Sequence, residues 1–351
     1  EEPESHLDVQ NQKYLHTQIE KKTLALEKKK DNEQTEFFAF TQVIQTSHST
    51  HLASKSDLKN IVVINRNGTE TQVFNIDRVL QLDPLTYRHN RRIIKQYLDA
   101  TRSSLLFSRK VVLVEGLSEK FVIGTIINAY LKQLDVESNI DIDSEGIELV
   151  EVGGKNFKPF MALYNTNNGE AIPNKCLSLR DGDQYQGTTS EIKDYPTIYK
   201  KLNSTNSSYS SNIREERNIF TFEIDTFFLP DPDNLESNNI DYLKLILYRF
   251  MKDKDYFKKD NTFLSKMGDI DNLLKDIKDE KIVESKIVDF FNGILNNEVS
   301  KPSLSLYLSS LLKAKLLKDP EEIQAWKIDS NNSEGIKTLD QIGDFIIPNY
   351  I

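Results

Sequence analysis

Two short apolar runs, each leading into acidic residues, constrain this chain more than any other feature. Val111-Val112-Leu113-Val114 is followed at once by Glu115 and Gly116, and Cys176-Leu177-Ser178-Leu179 stops one residue short of Asp181-Gly182-Asp183. Four apolar or β-branched residues bounded by turn residues have the pattern of a short buried strand. A glycine directly after the acid lets the backbone turn sharply. Glu115 is therefore expected at a strand tip, with Asp181 and Asp183 just beyond a second one. In an open α/β sheet the carboxyl ends of parallel strands are where ligands gather. Three acids converging there make a hard oxygen cage, and Mg²⁺ suits it best.

Composition sets outer limits. The 351 residues suffice for two domains with separate cores. A hydrophobic fraction of 38% beside 28% charged residues reads as soluble and globular. No apolar run approaches the roughly 20 residues a bilayer span needs, and no charged-then-apolar leader opens the chain, so no membrane role is expected. The single cysteine, Cys176, excludes an internal disulfide framework or a thiolate zinc site and fits a cytoplasmic setting. A net charge of −9 argues against a uniformly basic nucleic-acid coat and leaves local clusters to decide.

The first residues, Glu1-Glu2-Pro3-Glu4-Ser5-His6-Leu7, resemble the end of a Walker B strand in ABC-type ATPases. By that resemblance Glu1 is the acid on the metal side and Glu2 the base that polarises the attacking water. Thr41 to Thr46 alternates like a strand and runs into Ser47-His48-Ser49, which resembles the ABC switch-histidine segment, with His48 a better fit than His51. Val9 to Lys30 has the composition of a helix with a polar, lysine-rich face. Ile61 to Ile64 and Gln72 to Phe74 read as a hairpin around Asn67-Gly68. No G-x-x-x-x-G-K-[ST] sequence occurs, so a P-loop is missing. The chain is therefore expected to be the later part of a longer protein. An acidic Glu-Glu-Pro-Glu start also suits an ordinary helix amino terminus, where acids favour the dipole.

Residues 83 to 108 are expected to connect two domains. Asp83-Pro84 marks a turn, and a basic helix follows with Arg88, His89, Arg91, Arg92 and Lys95 close together. Arg88, Arg91, Arg92 and Lys95 are candidate contacts for DNA phosphates. The same composition suits a solvated helix face.

From Ser108 onward the motifs are more specific. Val111 to Gly116, Glu119, Gly153-Gly154-Lys155 and Asp181-Gly182-Asp183 together resemble a Toprim domain, the metal-binding fold of topoisomerases, primases and several nucleases. With an ABC-like segment upstream, the chain is similar to the overcoming-lysogenization-defect (OLD) family of ATP-dependent nucleases. The resemblance implies an α/β fold, Rossmann-like, with a mostly parallel sheet flanked by helices. It divides the chain into part of an ABC ATPase domain (1–82), a helical connector (83–108) and a Toprim nuclease domain (109–351) with a helical insert at about 231–320. It assigns metal binding to Glu115 and Glu119, the latter in the first turn of a helix opening near Ser118. Phe220 to Asp225 resembles the family's Leu-Glu-x-Asp segment, which brings Glu223 and Asp225 to a second ion. Ser300-Lys301-Pro302 resembles the late segment whose lysine reaches back to the scissile phosphate; a solvated lysine before a helix-opening proline competes with that reading. Phe345 to Tyr350 resembles the family's terminal segment. Residues 203 to 212, rich in Ser and Asn, read as a loop.

The expected activity is phosphodiester hydrolysis or nicking of DNA with two Mg²⁺ or Mn²⁺ ions. Glu115, Asp181 and Asp183 hold one ion, Glu119, Glu223 and Asp225 contribute to the other, and Lys301 meets transition-state charge. By resemblance, ATP in the intact protein gates DNA access through a homodimer or higher homo-oligomer, and anti-phage defence is the setting. The main alternative is a RecF- or SMC-like ATP-gated module that binds DNA without cutting it. A topoisomerase needs a nucleophilic tyrosine near the metal and a primase needs a nucleotide-binding apparatus, and the sequence displays neither motif.

Overall fold

The structure is a computed structural model that describes residues 2, 4–30, 43–67, 69–98, 102–134, 140–182, 209–218, 222, 305, 306, 309, 310, 313 and 346. The chain divides into two compact units. One is Glu1–Ser108 with Lys158–Pro173, and the other is Arg109–Phe157 with Asn174–Ile351.

The first unit begins with helix α1, Val9–Lys30, matching the expected span. Asp8 starts it, accepting the backbone N–H groups of Gln10 at 2.9 Å and Asn11 at 3.1 Å. Those otherwise orphaned donors are what an acidic cap satisfies. Helix α2 is Thr50–Lys55, with Ser49 as its cap. Strands β1, Val62–Asn67, and β2, Glu70–Asn75, pair antiparallel from Val62↔Asn75 to Asn67↔Glu70. This is the expected hairpin. The next helix, α3, spans Ile76–Gln81 and is capped by the side chain of Asn75. The basic helix follows as α4, Tyr87–Tyr97, with Asn90, Ile93 and Ile94 buried.

One expectation fails here. Val43 to Thr46, the described part of the alternating run at Thr41 to Thr46, forms no strand. Val43 and Ile44 are exposed, so alternation finds no buried face to serve. The Glu2 N–H donates to the Thr46 carbonyl at 3.1 Å, and one such bond does not make a ladder.

Among the described residues, the second unit is built on a four-stranded sheet. Its strands are β3, Lys110–Val114; β4, Ile147–Glu151; β5, Lys175–Arg180; and β6, Ile213–Arg217. Their order is β4-β3-β5-β6 and every pairing is parallel. Val111 to Val114 are fully buried on the central β3, as a strand covered on both faces must be. Helix α5, Leu117–Leu134, buries Val122, Ile123, Ile126, Ile127 and Leu131, a helical spacing that places one apolar stripe against the sheet. Burial of each such side chain stabilises by roughly 1.5–3 kcal/mol. A short helix, α6, covers Phe157–Met161, and all of it after Phe157 groups with the first unit. Within the expected insert at about 231–320, Ser305, Leu306, Ser309, Ser310 and Lys313 are described and helical. No helix among the described residues is long and apolar enough to cross a membrane.

Candidate metal centre

Because all four strands run the same way, their carboxyl ends share one edge of the sheet, and the acidic motifs collect there. Glu115 lies one residue past the end of β3. Its carbonyl accepts the Gly154 N–H at 3.1 Å, and Val152 N–H donates to Val114 at 2.9 Å. The segment after β4 is thus laced to the turn after β3. That close approach uses left-handed backbone at Gly153 (φ +69°) and Gly154 (φ +106°), where a Cβ would add strain.

Glu119 sits in the first turn of α5 and is only 6% exposed. Its Oε2 accepts the Gly116 N–H at 3.1 Å, so the acid closes the turn that carries Glu115. A carboxylate in a first helical turn also meets the positive end of the helix dipole.

Asp181 follows β5 directly. Its Oδ1 accepts the backbone N–H of Phe222 at 2.8 Å and the Asn218 side-chain amide at 3.4 Å. Asn218, just past β6, donates its own N–H to the Arg180 carbonyl at 2.8 Å. The ends of β5 and β6 are thereby tied together under the carboxylate. Asn218 was not singled out by sequence, because an amide reaching an acid 37 residues earlier leaves no local signal. Phe222 is helical rather than extended; its N–H is satisfied by the Asp181 carboxylate instead of a strand partner. Asp183, Glu223, Asp225 and Lys301 lie outside the described residues.

Beneath Asp181, Glu215 of β6 is 6% exposed and paired with Arg180 and Arg217. Burial works against its charged form, yet the hydrogen bond from Arg180 and the positive charge of Arg217 hold the carboxyl below its ordinary value. The Arg180 guanidinium also lies 5.4 Å from the centre of the Phe157 ring, within cation–π range.

Elsewhere, in the first unit, Glu2 and His48 are brought together: His48 Nε2 stands 3.4 Å from Glu2 Oε1. Glu1 lies outside the described residues. Glu4, not singled out by sequence, is buried and accepts a hydrogen bond from Ser47 Oγ. The four basic candidates all lie on α4, but Arg91 is committed internally. Its Nε is 2.7 Å from Asp77 Oδ1 and its Nη2 2.9 Å from Asp57 Oδ1.

Residues 106–183 match the family model described as the TOPRIM domain of overcoming-lysogenization-defect-like proteins. This segment is an OLD-like Toprim domain. Solved structures similar to the chain include the C-terminal region of the Burkholderia pseudomallei OLD protein, at 17% identity over 62% of this chain and 98% of that one, with a TM-score of 0.35. The C-terminal region of the Xanthomonas campestris pv. campestris OLD protein is also similar, at 17% identity over 62% and 97%, with a TM-score of 0.32. No curated protein matches.

Toprim domains typically bind divalent metals, and the donor chemistry here suits one. Glu115 and Asp181 bring carboxylates to neighbouring strand ends, and Glu119 adds another in the adjoining helix turn. Oxygen donors of this kind fit Mg²⁺ or Mn²⁺ and suit softer metals less well. Among the described residues, no three acidic, histidine or cysteine side chains gather as a formed metal cluster.

Proposed function

We propose that this chain carries the nuclease part of an ATP-regulated, metal-dependent DNA endonuclease. The observation that carries the reading is the placement of Glu115 and Asp181 at the carboxyl ends of adjacent parallel strands within the Toprim domain. Glu115, Asp181 and Asp183 would hold one divalent ion, and Glu119, Glu223 and Asp225 would serve a second. When bound, such ions neutralise phosphate charge and make water more acidic. The protein's own contribution is positional. Asn218 and the Phe222 N–H orient Asp181, while Gly116 and Glu119 fix the turn bearing Glu115. Lys301 would meet negative charge developing on the scissile phosphate.

The ATPase coupling draws support from the pairing of Glu2 and His48, which resembles a base and a γ-phosphate sensor. Residues 1–82 would belong to that ATPase domain, 83–108 to a connector and 109–351 to the nuclease domain. Dimerisation, a cytoplasmic setting and a role in anti-phage defence complete the proposal.

Full-length protein incubated with supercoiled plasmid and Mg²⁺ or Mn²⁺, with and without ATP, provides the test. Nicking should depend on the metal and fall on the order of 100-fold or more in Asp181→Ala, since even groups that merely orient a metal ligand cost roughly 10- to 100-fold. No metal-dependent nicking under any ATP condition sinks the nuclease reading. Retained DNA binding in that case supports the ATP-gated binding module instead.

A further inference from the structure

The sequence of α4, Tyr-Arg-His-Asn-Arg-Arg-Ile-Ile-Lys-Gln-Tyr, carries four cations and no acid in a chain whose net charge is −9. Its cations have different jobs. Arg91 is held by two carboxylates, Asp77 at 2.7 Å and Asp57 at 2.9 Å. Asp77 is itself buried and also accepts from Tyr87 Oη at 3.0 Å and Gln81 Nε2 at 2.8 Å. The Asp77 hydrogen bond raises the Arg91 guanidinium's affinity for its proton. Partial burial opposes the charge on Asp57, but the Lys59 N–H and Arg91 hold its carboxyl below the ordinary range. Arg91 is therefore a strut that pins α4 to α3 and to the turn at Asp57.

Arg88 and Arg92 are exposed and make no hydrogen bond or ion pair among the described residues. At 100° per residue, positions 88, 92 and 95 fall within about 60° of one another, opposite the buried Asn90, Ile93 and Ile94. Lys95 keeps its ammonium at the open end of the row, donating one bond to the Ser56 carbonyl at 2.9 Å. The row borders a cavity of about 450 Å³ lined by Tyr87, Arg88, Arg91, Arg92, Lys95 and Gln96. Along the helix axis, Arg88 and Arg92 are about 6 Å apart and Arg88 and Lys95 about 10 Å. One DNA strand rises about 3.4 Å along the duplex axis per phosphate, and because it winds around that axis successive phosphates are farther apart than this, a spacing comparable to that of Arg88 and Arg92. Planar guanidinium forks match phosphate oxygens in pairs.

We propose that α4 is a docking strip for the phosphodiester backbone of duplex DNA, with Arg88 and Arg92 as its contacts, Lys95 at its flank and Arg91 as the strut that holds it in shape. The choice of DNA as occupant rests on the nuclease reading, while the strip itself rests on the arrangement of these side chains. Backbone contacts of this kind position a duplex without reading its sequence.

The test is anisotropy of a labelled duplex titrated with full-length protein in Ca²⁺, across roughly 50 to 200 mM NaCl. Arg88→Ala/Arg92→Ala should weaken binding equally on unrelated sequences and flatten the dependence of log affinity on log salt by about 1.8, or about 0.9 for each phosphate that is no longer neutralised. Arg88→Lys/Arg92→Lys should restore the slope. Both positions are exposed, and an unchanged melting temperature would confirm that the fold is intact. An unaltered slope and affinity in the double alanine variant overturns the strip. Displacement of DNA by micromolar inorganic tripolyphosphate also overturns it, by showing a site for a small anion. Asp181→Ala keeps the two readings apart: loss of nicking with a wild-type salt slope leaves both standing. Salt-dependent binding through Arg88 and Arg92 in a protein that never nicks removes the nuclease and keeps the strip.

Discussion

Gly169 shows how much one residue can carry. It closes a short 3-10 turn with φ +132° and ψ −148°, a region essentially restricted to glycine. A Cβ at that position would stand 3.1 Å from Leu82 Cδ2. Gly169→Ala therefore combines backbone strain with a tight approach and should destabilise by roughly 1–3 kcal/mol, seen as a lower urea midpoint at unchanged slope. If Leu82 moves aside freely, the loss falls to the lower end of that range, and Leu82→Ala in the same background would leave it unchanged. Gly154, with φ +106° and nothing within 4 Å of a built Cβ, should show the strain without the crowding.

Among the strands, what could be read in advance followed from what each strand buries. β3 and β5 were legible because Val111 to Val114 and Cys176 to Leu179 are buried on both sides, which leaves apolar runs broken only by Ser178. β6 was not, since Ile-Arg-Glu-Glu-Arg has one apolar residue and looks like a solvated stretch. Its place in the sheet depends on charge pairing: Glu215 is buried only because Arg180 on β5 and Arg217 accompany it. The acids after β3 and β5 were legible by the same rule of strand followed by turn. The partners of Asp181, Asn218 and the Phe222 N–H, were hidden because they arrive from 37 and 41 residues away. The β5–β6 pairing has a pH signature. The folded pKa of Glu215 lies below its ordinary value of 4.5, so the unfolded chain takes up the proton first on acidification. The stabilisation is complete above about pH 4.5 and is lost as pH falls through the folded value. Glu215→Gln should cost roughly 1.5–3 kcal/mol at about pH 7, and its stability should fall less steeply than wild type between about pH 5 and 3. Parallel pH profiles for the two proteins would contradict this account.

At the level of the whole chain, residues 158–173 lie inside the family-matched segment 106–183 yet group with the first compact unit. A boundary of that kind is set by packing, as in Tyr164 Oη donating to the Leu105 carbonyl at 2.9 Å, and not by any break in composition. The single cysteine offers a way to follow the second unit by itself. Cys176 is fully buried on β5, between β3 and β6, paired with Val111 on one side and Ile213 on the other. Burial pushes its thiol well above the usual range, so the nucleophilic thiolate is scarce while the sheet is closed. Labelling by a thiol-reactive disulfide should therefore require opening of β5. At about pH 8 the native protein should react at least about 1,000-fold more slowly than the chain in roughly 8 M urea, as expected for an opening that costs several kcal/mol. Because the unit holds β6 against β5 through Glu215, Glu215→Gln should speed native labelling by the factor that its stability loss implies, about 10- to 150-fold for the range above. Native labelling at the unfolded rate would show that β5 is not closed. An unchanged rate in Glu215→Gln would show that Cys176 is exposed by a movement that leaves the β5–β6 pairing intact.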